Sequence, residues 1–169
     1  MALQQEQEAK WGGKVSALVG GVMADQVWPL LAEFGRMDRW MPTVATCQLI
    51  GVAGTPGCLR YCASAGGDRW AKEVLKSIDH ARRKMCYEMT ESSMGWRYYE
   101  ASVEVVDSAE EGGCRIEWTF RMDPVDDRTE EGIVQYIGFA LGCISKRMQE
   151  FLCGGAGGDS GGGCGNDAA

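Results

Sequence analysis

The sequence holds a single histidine, His80, among 169 residues. Any proton transfer in this protein must therefore rest on carboxylates, arginine and tyrosine. The same scarcity argues against a zinc site, because the eight cysteines (47, 58, 62, 86, 114, 143, 153 and 164) form no CxxC pair. Positive charge is short as well: 24 acidic side chains stand against 17 basic ones, a formal charge of −7. Binding nucleic acid needs a Lys/Arg surplus to displace counterions, so no such partner is expected. No run approaches the roughly 18 consecutive apolar residues of a membrane span. The opening MALQQEQEAKW is polar, unlike a signal peptide, and neither a myristoyl nor a prenyl signal stands at the ends. A soluble cytoplasmic protein is expected.

What is present needs dividing. Glycine is abundant, but eight of the 24 glycines fall in the last 16 residues, GGAGGDSGGGCGNDAA. That segment has no large apolar side chain to repay its ordering entropy, so 154–169 is expected to be a disordered tail. With residues 1–9 read as a flexible N-terminus, one folded domain over 10–153 remains, near the usual size of about 150 residues. The cysteines show no repeated spacing and often stand where a small apolar residue would. They read as reduced thiols filling a core rather than a disulfide framework.

Trp11–Val19 alternates loosely and reads as a strand. Ala24–Phe34 spaces Val27, Leu30, Leu31 and Phe34 as an amphipathic helix, with Pro29 expected in its first turn. A second short helix, Arg36–Trp40, is expected to end before Met41-Pro42. Six candidate strands follow: Val44–Val52, Cys58–Ser64, Arg69–Asp79, Lys84–Glu91, Arg97–Val106 and Cys114–Met122. Gly- and Asp-rich turns separate most of them. Tyr99, Ala101, Val103 and Val105 alternate with polar residues, as do Cys114, Ile116, Trp118, Phe120 and Met122, giving one apolar and one wet face.

The last element reads as a helix opening on a capping-box-like Asp127 and Glu130. Apolar residues then recur at 133, 137, 140, 141, 144, 148, 151 and 152, for a length of roughly 40 Å. Gly138 and Gly142 share a stripe, which suits close packing on strands or, less simply, a ligand beneath the helix. The expected fold is α+β: a curved antiparallel sheet of about seven strands around a long C-terminal helix, with two short helices after strand one. A cavity between sheet and helix suits a small molecule.

Charged residues inside strands are the candidates for chemistry. In C-L-R-Y-C, alternation puts Cys58, Arg60 and Cys62 on one face and Leu59 and Tyr61 on the other. In W-A-K-E-V-L, Ala71, Glu73 and Leu75 share a face. Periodicity leaves open whether either face points inward. A carboxylate in a cavity is costly unless paired with a cation such as Arg60, which would favour its charged, proton-accepting form. Tyr99 lies on a clear apolar face, where its hydroxyl suits a donor or relay, although tyrosine is also an ordinary core residue.

The element order resembles the helix-grip arrangement of the START and birch-pollen-allergen superfamily, which includes polyketide cyclases/dehydrases and lipid-transport proteins. Several motifs resemble the plant lachrymatory-factor synthase family: K-W-G-G-K-V at 10–15, W-P-L-L-A-E-F at 28–34 and M-P at 41–42. Further along come G-C-L-R-Y at 57–61, W-A-K-E at 70–73, T-E at 90–91 and E-W-T-F at 117–120. The resemblance implies that Arg60 and Glu73 are an essential pair assisted by Tyr99, and that Tyr87 and Trp118 line the pocket. It implies an isomerisation of a small alkenyl sulfenic acid to a thial S-oxide, with no cofactor and no metal. Three departures concern the substrate. The hairpin between Arg60 and Glu73 is shorter, Arg69 replaces an aromatic pocket residue, and Ile137 stands where a pocket tryptophan is expected.

Three readings follow. The first is a cofactor-independent isomerase or lyase acting through Arg60 and Glu73 on a small hydrophobic or sulfur-containing metabolite. The second is a non-catalytic carrier of a hydrophobic metabolite, and the third a polyketide cyclase or dehydratase using the same pair. The Ser-Gly-Leu-Pro-Ala gate and His-Arg-Leu latch of plant hormone receptors of this fold are both absent from the sequence. Oligomeric state is not legible.

Overall fold

A computed structural model of the chain describes residues 10–154. The expected flexible N-terminus, the expected tail beyond Gly154 and Cys164 lie outside the described residues. Seven strands form one antiparallel sheet: β1 (Trp11–Gly20), β2 (Thr46–Ile50), β3 (Leu59–Ala63), β4 (Trp70–Asp79), β5 (Lys84–Ser92), β6 (Glu100–Ser108) and β7 (Gly113–Met122). Their order is β1-β7-β6-β5-β4-β3-β2, so β1 and β2 are the edges. Helix α1 (Ala24–Ala32) follows β1, and α2 (Glu130–Gly154) closes the described chain. This is the helix-grip fold.

The alternation read in β6 and β7 places Tyr99, Ala101, Val103, Val105, Cys114, Ile116, Phe120 and Met122 in the core, while Trp118 is only partly covered. Residues Ile133, Ile137, Leu141, Ile144 and Met148 of α2 meet that face. The helix packs chiefly on β1. Gly113 permits the β1–β7 pairing, since a Cβ there would stand 2.2 Å from the Val19 carbonyl oxygen. Because α2 leans to the β1 side, the inner faces of β3, β4 and β5 need another cover. The segment after α1 supplies it.

Four local expectations change. The second short helix is a single 3-10 turn, Met37–Arg39, because the bonds available before Met41-Pro42 close only one turn. Pro29 sits in the second turn of α1, where the bond it forgoes belongs to the carbonyl of solvent-exposed Asp25. Helix α2 is capped by Thr129, whose Oγ1 accepts from the Gly132 N–H at 3.0 Å, so Asp127 and Glu130 form no capping box. The stripe of Gly138 and Gly142 is not a point of crowding. A Cβ at Gly138 would make ordinary contact with Val15 at 3.6 Å, and one at Gly142 would meet nothing within 4 Å.

Strand β6 begins three residues later than the pattern suggests. Tyr98 has a left-handed φ of 52°, which breaks the strand, leaves Tyr98 exposed and turns Tyr99 into the core. Among the described residues, no helix is long and apolar enough to cross a membrane.

Candidate functional site

The hairpin joining β3 to β4 brings the site's charges together. Gly66 and Gly67, with φ of 85° and 79°, make its turn, and the resulting register sets Arg60 directly opposite Glu73. Both side chains fall on the inner face. Arg60 is 2 % exposed, and its Nε donates to Glu73 Oε2 at 2.5 Å. Its Nη1 donates to the Phe34 carbonyl at 3.2 Å, and the guanidinium lies 4.1 Å from the Phe34 ring centroid and 4.8 Å from that of Tyr87. Burial is the largest single influence and disfavours the charge, but Glu73 together with Tyr87 and Cys62 raises the Arg60 pKa on balance. The arginine is a fixed cation, held in plane by an acid, a carbonyl and two aromatic faces.

A cavity of about 140 Å³ opens beside this pair. Arg60, Glu73, Tyr87, Tyr99, Trp118 and Ile137 all border it, so six of the seven expected site residues share one chamber wall. The seventh, Arg69, also borders it but is exposed at the rim, where its backbone N–H bonds Ser64 Oγ at 3.1 Å. Its charge stands at the mouth rather than inside.

The Tyr99 hydroxyl accepts a hydrogen bond from Trp118 Nε1 at 3.1 Å. Burial, with the negative charge of Glu73 next, raises the Tyr99 phenol. Burial, and then Tyr99 beside it, pushes Tyr87 well above the usual phenol value. Both phenols therefore stay protonated near neutral pH. The Tyr99 hydroxyl, accepting from Trp118, also neighbours that of Tyr87 at the cavity wall.

Other lining residues escaped the sequence reading. Met37, Met41 and Val44 come from the covering segment, while Tyr136 and Ala140 come from α2. Tyr136 lies one helical turn before Ala140 and one residue before Ile137, so helical spacing carries that signal. Trp96 arrives from the loop between β5 and β6, where no periodicity exists to reveal it. Its buried Nε1 has no hydrogen-bond partner among the described residues. His80 is elsewhere, accepting from Trp28 Nε1 at 3.1 Å. No group of three or more His, Cys, Asp or Glu side chains arranged to hold a metal occurs among the described residues.

The family described as polyketide cyclase/dehydrase and lipid transport matches residues 15–143, which span β1 through most of α2. The chain belongs to that family. Solved structures share this family member's fold. The protein XoxI from Bacillus cereus is 19 % identical with a TM-score of 0.68, covering 86 % of this chain and 96 % of its own. An uncharacterised protein from Bacillus thuringiensis is 20 % identical with a TM-score of 0.66, covering 86 % and 99 %. A protein from Thermobifida fusca is 25 % identical with a TM-score of 0.66, covering 82 % and 92 %. These likenesses speak to architecture. The chemistry of this family member has to be argued from its own cavity.

Proposed function

We propose that this protein is a cofactor-independent isomerase of a small molecule, using Glu73 to move a proton and Arg60 to hold a developing oxyanion. The observation that carries the reading is the Arg60–Glu73 contact at 2.5 Å on the wall of the cavity. The guanidinium has five N–H donors and two are engaged by Glu73 and Phe34, leaving others for a ligand oxygen. Tyr99 adds a neutral donor at the same wall.

Cavity size narrows the substrate. About 140 Å³ is close to the volume that encloses a benzene-sized molecule in other proteins. A sterol or a multi-ring polyketide would stand mostly outside it. An alkenyl sulfenic acid, the substrate class suggested by the motifs around Arg60 and Glu73, is of suitable size. Glu73 would take the O–H proton while Arg60 and Tyr99 bind the oxygen. The protonated acid would then return the proton to the far alkene carbon, breaking O–H, forming C–H and moving the double bond to C=S.

The test supplies an alkenyl sulfenic acid generated in situ and measures thial S-oxide. Wild type is expected to form it, and Glu73→Gln to form at least 100-fold less. Equal product from both would remove Glu73 from the mechanism. A second reading, a carrier of a small hydrophobic metabolite, draws on the methionines Met37, Met41, Met89 and Met94 around the same cavity. Saturable binding without turnover, retained by Glu73→Gln, would favour the carrier.

A further inference from the structure

Cys47 and Cys62 stand directly opposite each other on β2 and β3, with their sulfurs 3.0 Å apart. Both are free thiols, and among the described cysteines no other two sulfurs are in hydrogen-bonding contact. Cys62 is buried and borders the cavity, two residues along β3 from Arg60. Cys47 is only half-buried and does not border the cavity. We propose that Cys47 and Cys62 are a peroxide-reactive dithiol that closes to a reversible disulfide in the cavity wall.

The two thiols have unequal surroundings, which assigns their order of reaction. The hydrogen bond with Cys62 lowers the Cys47 thiol to about 7; burial opposes this, while the Met37 backbone and Arg60 assist and Asp38 opposes. Cys62 is raised, first by its hydrogen bond to Cys47 and then by burial. Half-buried Cys47, more accessible than buried Cys62, is the thiolate that attacks. It attacks one oxygen of hydrogen peroxide, the O–O bond breaks, and the released hydroxide takes a proton to leave as water. Cys47 is left as a sulfenic acid. The Cys62 sulfur then attacks the Cys47 sulfur, S–S forms and S–O breaks. The hydroxyl leaves with the Cys62 proton as a second water. Two electrons pass from the thiols to one peroxide.

The bond has a mechanical consequence. β2 is an edge strand, and β3 is its only neighbour in the sheet. Closing the disulfide ties that edge covalently to the strand that carries Arg60.

The experiment treats the reduced full-length protein with a small excess of hydrogen peroxide and maps unreduced peptides by mass spectrometry. One cross-link between Cys47 and Cys62 is expected, with loss of two hydrogen masses and full reversal by dithiothreitol. Cys62→Ser is expected to accumulate a dimedone-trapped sulfenic acid on Cys47, and Cys47→Ser to give no cross-link to Cys62. Amide exchange in β2 is expected to slow at least tenfold in the oxidised wild type. The proposal is overturned if Cys47 and Cys62 stay reduced while other cysteines oxidise. Cross-links scattered among Cys58, Cys86 and Cys143 would overturn it equally, as would unchanged exchange in β2. If a serine variant fails to fold, the wild-type map decides alone.

Discussion

Removing the Glu73 carboxylate leaves a guanidinium buried without its counter-charge. The Arg60 side chain is 3 % exposed and that of Glu73 12 %, so bulk solvent screens the pair poorly. After Glu73→Ala, Arg60 keeps the Phe34 carbonyl and the ring faces of Phe34 and Tyr87, all of which it already has. Breaking a buried pair from one side costs about 3–5 kcal/mol. The cavity beside Arg60 admits water to the stranded charge, which places the expectation at the low end, about 3 kcal/mol. Glu73→Gln keeps an oxygen acceptor at the same point and is expected to cost about 1–2 kcal/mol. Replacing both residues, Arg60→Met with Glu73→Leu, removes the desolvated charges altogether. That double variant is expected to recover at least about 1 kcal/mol relative to Glu73→Ala. Urea unfolding followed by tryptophan fluorescence reads all three, with m held constant as the check on two-state behaviour. A Glu73→Ala protein within about 0.5 kcal/mol of wild type would show that the pair is solvated. A double variant no more stable than Glu73→Ala would show that removing the desolvated charges brings no gain.

Two further outcomes are open to measurement. Gly113→Ala forces a Cβ to within 2.2 Å of the Val19 carbonyl oxygen and is expected to cost about 2–3 kcal/mol; an unchanged thermal midpoint would contradict the close β1–β7 approach. Cys47 has its pKa lowered to about 7, so its thiolate is present above that pH and lost below it. Its iodoacetamide alkylation rate is expected to reach half-maximum near pH 7, while Cys62 reacts slowly throughout. A Cys47 midpoint in the ordinary thiol range would show that the hydrogen bond between Cys47 and Cys62 does not form in solution.

Much of the architecture was legible because period-2 and period-3.6 patterns survive wherever one face is wet. β6, β7 and α2 were readable on that ground, and so was the inward Tyr99. Patterns were silent or misleading in three places. The segment after α1 covers the cavity with Met37, Met41 and Val44, yet as a single 3-10 turn followed by irregular chain it has no period to detect. Trp96 comes from a loop. Thr129 took the cap because its hydroxyl, not the Asp127 carboxylate, reaches the Gly132 N–H.

By itself, the sequence determined the class of fold and the chemical vocabulary of the site. With one histidine, at position 80, proton transfer in a cavity was expected to rest on carboxylate, arginine and tyrosine. Alternation within each strand also determined that Arg60 shares a face with Cys62, and Glu73 with Leu75. It could not say which face was buried, because in β3 the charge shares its face with two cysteines and the site half of β4 mixes charged and apolar residues on both sides. Tertiary structure decided that. The β3–β4 register set Arg60 against Glu73, and the β2–β3 register set Cys47 against Cys62. The lean of α2 toward β1 left an uncovered stretch of sheet, and the cavity lies there. Pairing across strands depends on turn geometry and on which face the core accepts, and both belong to the assembled chain rather than to any one segment.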